Sequence, residues 1–228
     1  MPKHLIREID RIKEMLRGLG KRVQERAHWA VSAIERRDAA LGLRIIDTDM
    51  EINHIEVDVE EECLKTLALH QPMASDLRFI VAALKINNEL ERIADLAVNI
   101  AERAVFLSTK DKLDIPFNFP GMADKALEML EKSLESLFSG DTTLAHQVLV
   151  MDDEVDAINR EMYDKVKDGV RKHPESVDQL IHYLSISRHL ERIADHATNI
   201  AEDVIYMTDG EIVRHRAEDY RKTEGKRV

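Results

Sequence analysis

Apolar residues recur every three or four positions along most of the chain, with charged residues between them, and this is the period of an amphipathic helix. The first such stretch covers about residues 4–37, where Leu5, Ile9, Ile12, Leu16, Leu19, Val23, Ala27, Ala30 and Ile34 form one stripe. Gly18 and Gly20 fall inside it and mark where that helix could bend. A second helix is predicted from Asp38, a suitable N-cap, to about residue 69, with Leu41, Ile45, Ile52, Ile55, Val59 and Leu67 on its apolar side. Pro72 then marks a turn, and a third helix runs over about 73–107. Residues 108–120 break the pattern, polar at first and then carrying Pro116 and Pro120. Three further helices follow, over about 121–139, 142–172 and 175–207. They are separated by Gly140-Asp141 and His173-Pro174 and stopped at Asp209-Gly210. Residues 211–228 mix charges nearly evenly and read as a frayed helix or a tail ordered by a partner. The order predicts an all-α chain of two tandem, pseudo-symmetric three-helix bundles, each up-down-up and packed side by side, at 1–110 and 118–210. Helices of about 30 residues would each be roughly 45 Å long.

The two halves are related by sequence as well as by pattern. Residues 90–102 read Leu-Glu-Arg-Ile-Ala-Asp-Leu-Ala-Val-Asn-Ile-Ala-Glu and residues 190–202 read Leu-Glu-Arg-Ile-Ala-Asp-His-Ala-Thr-Asn-Ile-Ala-Glu. Eleven of the thirteen positions are identical at an offset of 100 residues, which marks a duplicated structural unit. A weaker repeat, Asp49 to Ile55 against Asp152 to Ile158, has an offset of 103.

Within the duplicated stretch the spacing carries chemistry. At about 100° per residue, Glu91 and Asp95 lie one turn apart on one helix face, with Asn99 and Glu102 in the same sector of roughly 80°. Ile93, Ala94, Ala97, Ile100 and Ala101 fall on the other side, where small residues let helix backbones come close. Glu191, Asp195, Asn199 and Glu202 repeat the arrangement. Asp49 with Asn53, and Asp152 with Asp156, add i, i+4 pairs on the second helix of each half. Such like-charged pairs repel by a few tenths of a kcal/mol each, and a bound cation removes that cost. Facing pairs on neighbouring helices would make an oxygen-rich site for hard cations. The competing reading is a solvated acidic face.

The totals narrow the classes of function. Of 228 residues, 34% are charged, only 4% are aromatic, and the net charge is −11. This argues against nucleic acid as the main partner, since phosphate binding needs clustered Lys and Arg. An acidic surface suits cations and basic protein patches. Cys63 stands alone, so no internal disulfide is possible, which fits a reducing cytosol. No signal-like segment opens the chain, and its longest apolar run, Phe79 to Leu84, is far short of a membrane span. The expectation is a cytoplasmic protein that meets membranes only through partners. No Gly-rich phosphate-cradling loop is present, so direct phosphate binding is not expected.

The paired motifs from Leu90 and Leu190, the segment Gln71-Pro72-Met73-Ala74-Ser75-Asp76-Leu77-Arg78 and the stretch Asp49 to Asn53 resemble the PhoU family of phosphate-signalling regulators. The resemblance spans essentially the whole chain. It implies two three-helix bundles and a non-enzymatic role restraining phosphate uptake and the phosphate-starvation response. It also implies the phosphate-specific ABC transporter and a sensor histidine kinase as partners, with a possible homodimer. Family members are reported to bind metal through Glu-x-x-x-Asp, in some cases as iron clusters. Carried over by position, the ligands would be Glu91, Asp95, Glu191 and Asp195, with Asp49, Asn53, Asp152 and Asp156 on the second helices and Asn99, Glu102, Asn199 and Glu202 as weaker additions. The metal would be iron or another divalent cation. Leu96 stands where the second copy has His196; helix arithmetic puts His196 off the carboxylate sector, in a packing or supporting role. Arg92 and Arg192 border the rows and either orient ligands or pair with neighbouring Glu.

Two rivals are weighed against this reading. A ferritin-like di-iron carboxylate protein needs Glu-x-x-His motifs projecting into a bundle core; Glu25 with His28 and Glu51 with His54 match, both in the first half. A purely structural adaptor would use the acidic faces for basic partners. Cys63 is expected to be a small buried apolar residue and Trp29 a core or inter-bundle residue.

Overall fold

The computed structural model describes residues 3–113 and 117–213, and among these it is all-helical. Seven α-helices follow in order: α1 (Lys3–Arg36), α2 (Ala39–Asp47), α3 (Asp49–His70), α4 (Ser75–Ser108), α5 (Phe119–Ser139), α6 (Thr142–Lys172) and α7 (Val177–Asp209), with a 3-10 turn at Pro174–Ser176. The first bundle is α1, α2–α3 and α4; the second is α5, α6 and α7. Pro116 and the tail from residue 214 onward lie outside the described residues.

The predicted stripes become the core. Ile12, Leu19, Val23 and Ala30 of α1 are completely buried, as are Ile86, Leu90 and Ile93 of α4. The expected caps form: the Asp38 side chain accepts from the Leu41 N–H to start α2, and Asp141 accepts from Thr143 N–H to start α6. Gly140 ends α5 at φ +74° and Gly210 ends α7 at φ +77°. At the turn from α1 to α2, Arg37 donates to the carbonyls of Leu107 and Lys110, closing the C-terminus of α4.

Helix α1 is continuous through Gly18 and Gly20 as one element, and Gly20 makes room for Leu134 of α5. Two expectations need correction. The predicted second helix is two, because the Thr48 hydroxyl bonds back to the carbonyls of Arg44 and Ile45 at 2.9 and 3.3 Å and competes with the helical ladder. Trp29 is 40% exposed, with the Arg44 guanidinium 5.3 Å over its ring; a cation on its face lets the indole stay outside the core.

Gly42 sets how closely α2 approaches α4. A Cβ there would lie 2.7 Å from Val105 Cγ2 and 3.1 Å from the Ala101 carbonyl oxygen. Replacing Gly42 with Ala is expected to cost about 1–3 kcal/mol by overpacking, although Ala is the better helix former; urea unfolding measures it.

The halves meet along α4 and α7, which run antiparallel. The Phe106 ring stacks on His182 at 3.8 Å, Glu89 Oε2 takes His196 Nδ1 at 2.6 Å, and Lys85 Nζ reaches Asp203 at 3.2 Å. The two copies of the thirteen-residue stretch therefore cross near their Ile93 and Ile193, about a local twofold. The Ala-rich sides, Ala94, Ala97, Ala101 and Ala194, Ala197, Ala201, are all buried.

Candidate functional site

With the Ala sides buried, the carboxylate rows of α4 and α7 are left facing the second helix of their own half. In the first half, Glu91 and Asp95 on α4 face Asp49 on the first turn of α3. Burial raises the Glu91 carboxyl above its ordinary range, and so do Asp95, Glu56 and Asp49, against the opposing charge of Arg92. Burial and Asp49 raise Asp95, with Arg92 and Arg26 opposing. In the second half, Glu191 and Asp195 on α7 face Asp152 and Asp156 on α6. Burial, and after it Asp195, Asp156, Asp153 and Glu191, pushes Asp152 up to about 6. Burial and Asp156 likewise raise Asp195, and burial and Asp195 raise Glu191. Both halves thus hold carboxylates from two helices close enough to repel through a partly desolvated gap.

The remaining sequence candidates do not all join these groups. Asn53 does: its amide donates to Asp49 Oδ2 at 3.5 Å, and its own Oδ1 is buried without a hydrogen-bond partner. Asn99 turns back to the Asp95 carbonyl, Glu102 pairs with Arg103, and Asn199 donates across the bundle boundary to Glu89 at 3.1 Å. Glu202 sits half-buried two turns beyond Asp195. His196 is committed to Glu89, away from the carboxylate sector. Arg92 and Arg192 are exposed.

Sequence reasoning missed several residues. Arg26 of α1 is buried, with Nη1 at 2.8 Å from Asp49 Oδ1 and Nη2 at 2.5 Å from the Thr48 carbonyl. Its signal was legible: it lies on the apolar stripe between Val23 and Ala27, where a solvated Arg has no place. Asn87 donates to the Glu56 side chain and carbonyl, both at 2.9 Å. Under the repeat offsets this bond reappears as Ser187 to Asn159 at 2.7 Å. It joins the two helices one turn before each carboxylate row. Glu89 and His189 occupy matching positions at offset 100, yet only Glu89 is paired. Both ring nitrogens of His189 are buried without partners, and burial, with Arg103, Arg192 and Arg188, brings its pKa down to about 4.

The rival centres are placed otherwise. Glu25, His28, Glu51 and His54 are all exposed, so neither Glu-x-x-His pair projects into a core. Cys63 is fully buried, and burial pushes its thiol up to about 12, the state of an unreactive packing group.

Among the described residues, no three His, Cys, Asp or Glu side chains stand already converged as a metal-holding group. The groups present are carboxylates and one amide oxygen, hard donors of the kind taken by Mg²⁺, Ca²⁺, Mn²⁺ and iron. The orphaned buried oxygen of Asn53 and the mutual repulsion of Asp152 with its neighbours are both relieved by a cation. In chemistry the residues fit.

Repulsion at Asp152 has a measurable consequence. Its folded-state pKa of about 6 lies above the ordinary value of about 3.9, so the folded state holds that proton more tightly. The stabilisation is complete below the ordinary value and is lost as pH rises through about 6. Glu62 and Glu89 are held below their usual range, so their contribution is lost only under more acid conditions. His189, brought down to about 4 by burial and the arginines around it, acts in the opposite sense, losing stability as pH falls below its ordinary value of about 6.5, so the Asp152 contribution is read as a difference between two proteins that share His189. Metal-free Asp152→Asn should gain on its parent by about 1–2 kcal/mol between pH 5 and pH 7 after allowance for partial exposure, as urea unfolding at the two pH values checks.

Comparison with known proteins agrees with the duplication. The PhoU domain family model matches twice, over residues 16–104 and 119–204. A phosphate-specific transport system accessory protein PhoU homolog of Aquifex aeolicus (strain VF5) is 38% identical over 212 residues, covering 93% of this chain and 96% of that protein. A homolog of Thermotoga maritima is 30% identical over 208 residues, 91% of this chain and 90% of that protein. The crystal structure of PhoU from Pseudomonas aeruginosa superposes with a TM-score of 0.86 at 31% identity, covering 90% of this chain and 98% of that one. The phosphate transport system regulatory protein PhoU from Streptococcus pneumoniae gives a TM-score of 0.83 at 30% identity, with 92% and 99% covered.

Proposed function

This chain belongs to the PhoU family, and from that premise we propose that it is a non-enzymatic regulator of phosphate uptake and of the phosphate-starvation response. It acts by contact with the phosphate-specific ABC transporter and a sensor histidine kinase, on the cytoplasmic side, with cations held on its paired carboxylate faces. The transporter association is supported by the relatives' names, which make them accessory proteins of phosphate-specific transport systems. A cytoplasmic place is consistent with the absence, among the described residues, of any helix long and apolar enough to cross a membrane.

The observation that carries the metal reading is the repetition of one arrangement. In each half two carboxylates one turn apart on the third helix face carboxylates on the second: after burial, Asp49 helps raise Glu91 and Asp95 in the first, and Asp195 and Glu191 help raise Asp152 in the second. In the first half Glu91, Asp95, Asp49 and Asn53 would hold the cation; in the second, Glu191, Asp195, Asp152 and Asp156. The bound charge would tie the third helix of each bundle to the second and so shape the surface offered to protein partners.

The test is metal content after saturation with Mn²⁺. Glu91→Ala with Asp95→Ala should remove the metal of the first half, and Glu191→Ala with Asp195→Ala that of the second, each with helicity unchanged by circular dichroism. Elemental analysis showing the same metal content in both double variants as in the parent would reject these ligands.

A further inference from the structure

The two carboxylate groups are alike in their acids and unlike in what neutralises them. In the first half Asp49, Glu51 and Asp95 lie around a guanidinium that the protein supplies itself. Arg26 is 5% exposed, lies 2.8 Å from Asp49 Oδ1, and donates to the Thr48 carbonyl at 2.5 Å. Its charge is felt also at Asp95. The second bundle has the same architecture up to this point. Asp38 and Asp141 are N-caps of corresponding helices, at the same offset of 103 that relates Asp49 to Asp152. The residue twelve positions before Asp38 is Arg26, and the residue twelve positions before Asp141 is Met129, fully buried in the core. The position that carries a buried cation in the first half therefore carries an uncharged, buried thioether in the second.

Other charges near the second group do not restore the balance. His196 is held by Glu89 through Nδ1 at 2.6 Å. Arg188, whose counterpart is Asn88, is exposed, as are Arg92 and Arg192, so solvent and salt screen them. Arg26 is the buried one, where a charge interacts most strongly. It cannot withdraw without leaving its own charge uncompensated inside the protein.

We propose that Arg26 is a built-in counter-ion that occupies the cation's place in the first bundle, so that the two repeats are unequal metal sites and the second bundle loads first and more tightly. The proposal rests on the metal-binding reading and deepens it. A divalent cation entering the first half must share Asp49 with Arg26 or displace a buried guanidinium. One entering the second half meets only carboxylates that repel each other without it. The duplicated protein then has a half partly neutralised by its own guanidinium and a half whose state follows the ion.

Isothermal titration of the metal-free full chain with Mn²⁺, with stoichiometry checked by elemental analysis, tests this. The parent should show a tight class of sites and a class at least tenfold weaker. Asp152→Asn with Asp195→Asn should remove the tight class, and Asp49→Asn with Asp95→Asn the weak one. Arg26→Met, which copies the second half, should tighten the weak class at least tenfold, whereas Arg26→Lys, which keeps a cation, should leave it weak. Circular dichroism of each variant establishes that it is folded, and the reciprocal Met129→Arg, where folded, should weaken the tight class. Equal affinities in the two halves, unmoved by Arg26→Met, would overturn the inequality while leaving metal binding intact. Loss of the tight class on changing Asp49 and Asp95 would overturn it as well. No Mn²⁺ uptake by the parent would sink the metal reading and this inference together.

Discussion

Changing Asp152 and Asp195 together to Asn should yield a protein that resists urea better than its parent when metal is absent and worse when metal is plentiful. The two acids face each other from α6 and α7, and burial first, then repulsion led by Asp195, pushes Asp152 up to about 6. Asn keeps the shape and removes the charge, so at pH 7 the metal-free variant should gain about 1–3 kcal/mol. The parent, however, has a ligand-linked reserve that the variant lacks. A site filled at a hundred times its dissociation constant adds about 2.7 kcal/mol to stability, and at a thousand times about 4.1 kcal/mol. The unfolding midpoints of parent and variant should therefore cross as Mn²⁺ is raised. Parallel curves, with the variant above or below its parent at every concentration, would mean that these acids hold no ion.

Ile193→Ala should behave in the opposite way, lowering stability by about 2–5 kcal/mol with and without metal. Ile193 is 1% exposed and lies between Glu191 and Asp195 in the sequence of α7, but its side chain belongs to the buried core. Removing three methyl or methylene carbons there opens a cavity in a tightly packed core, beside the buried Ala194 and Ala197, which limits collapse. The loss should appear as a lower urea midpoint at an unchanged slope, while Mn²⁺ affinity moves by only a few-fold. A variant that unfolded normally but lost its metal would place Ile193 in the site instead of the core.

The contrast between these two substitutions shows what a linear reading of the chain can reach. Period and repetition located the six predicted helices, the apolar stripe from Leu5 to Ile34, the capping acids Asp38 and Asp141, and the face shared by Glu91 and Asp95. All of these are properties of one helix, and a helix's geometry is known before its neighbours are. What escaped were properties of pairs of elements. Asn199 shares a helical sector with Asp195, yet a carboxylate on α4 claims its amide at 3.1 Å. Thr48 ended a helix with neither Pro nor Gly in sight, by turning its hydroxyl onto the preceding turn. Trp29 stayed outside because Arg44 supplied a cation over its face. Arg26 was the one miss with a local signal: a charge on an apolar stripe must meet a counter-charge inside the fold, and Asp49 was already a candidate for other reasons.

The antiparallel crossing of α4 and α7 has a consequence for how this chain is free to change. Paired about a local axis, its halves meet as the subunits of an isologous dimer do, but within one polypeptide. In a true homodimer every substitution is written twice, and a residue on the axis must tolerate its own image. Here each contact off the axis has two separate addresses, so one can drift while the other is kept. Glu89 with His196, against His189 with Leu96, is that freedom already used.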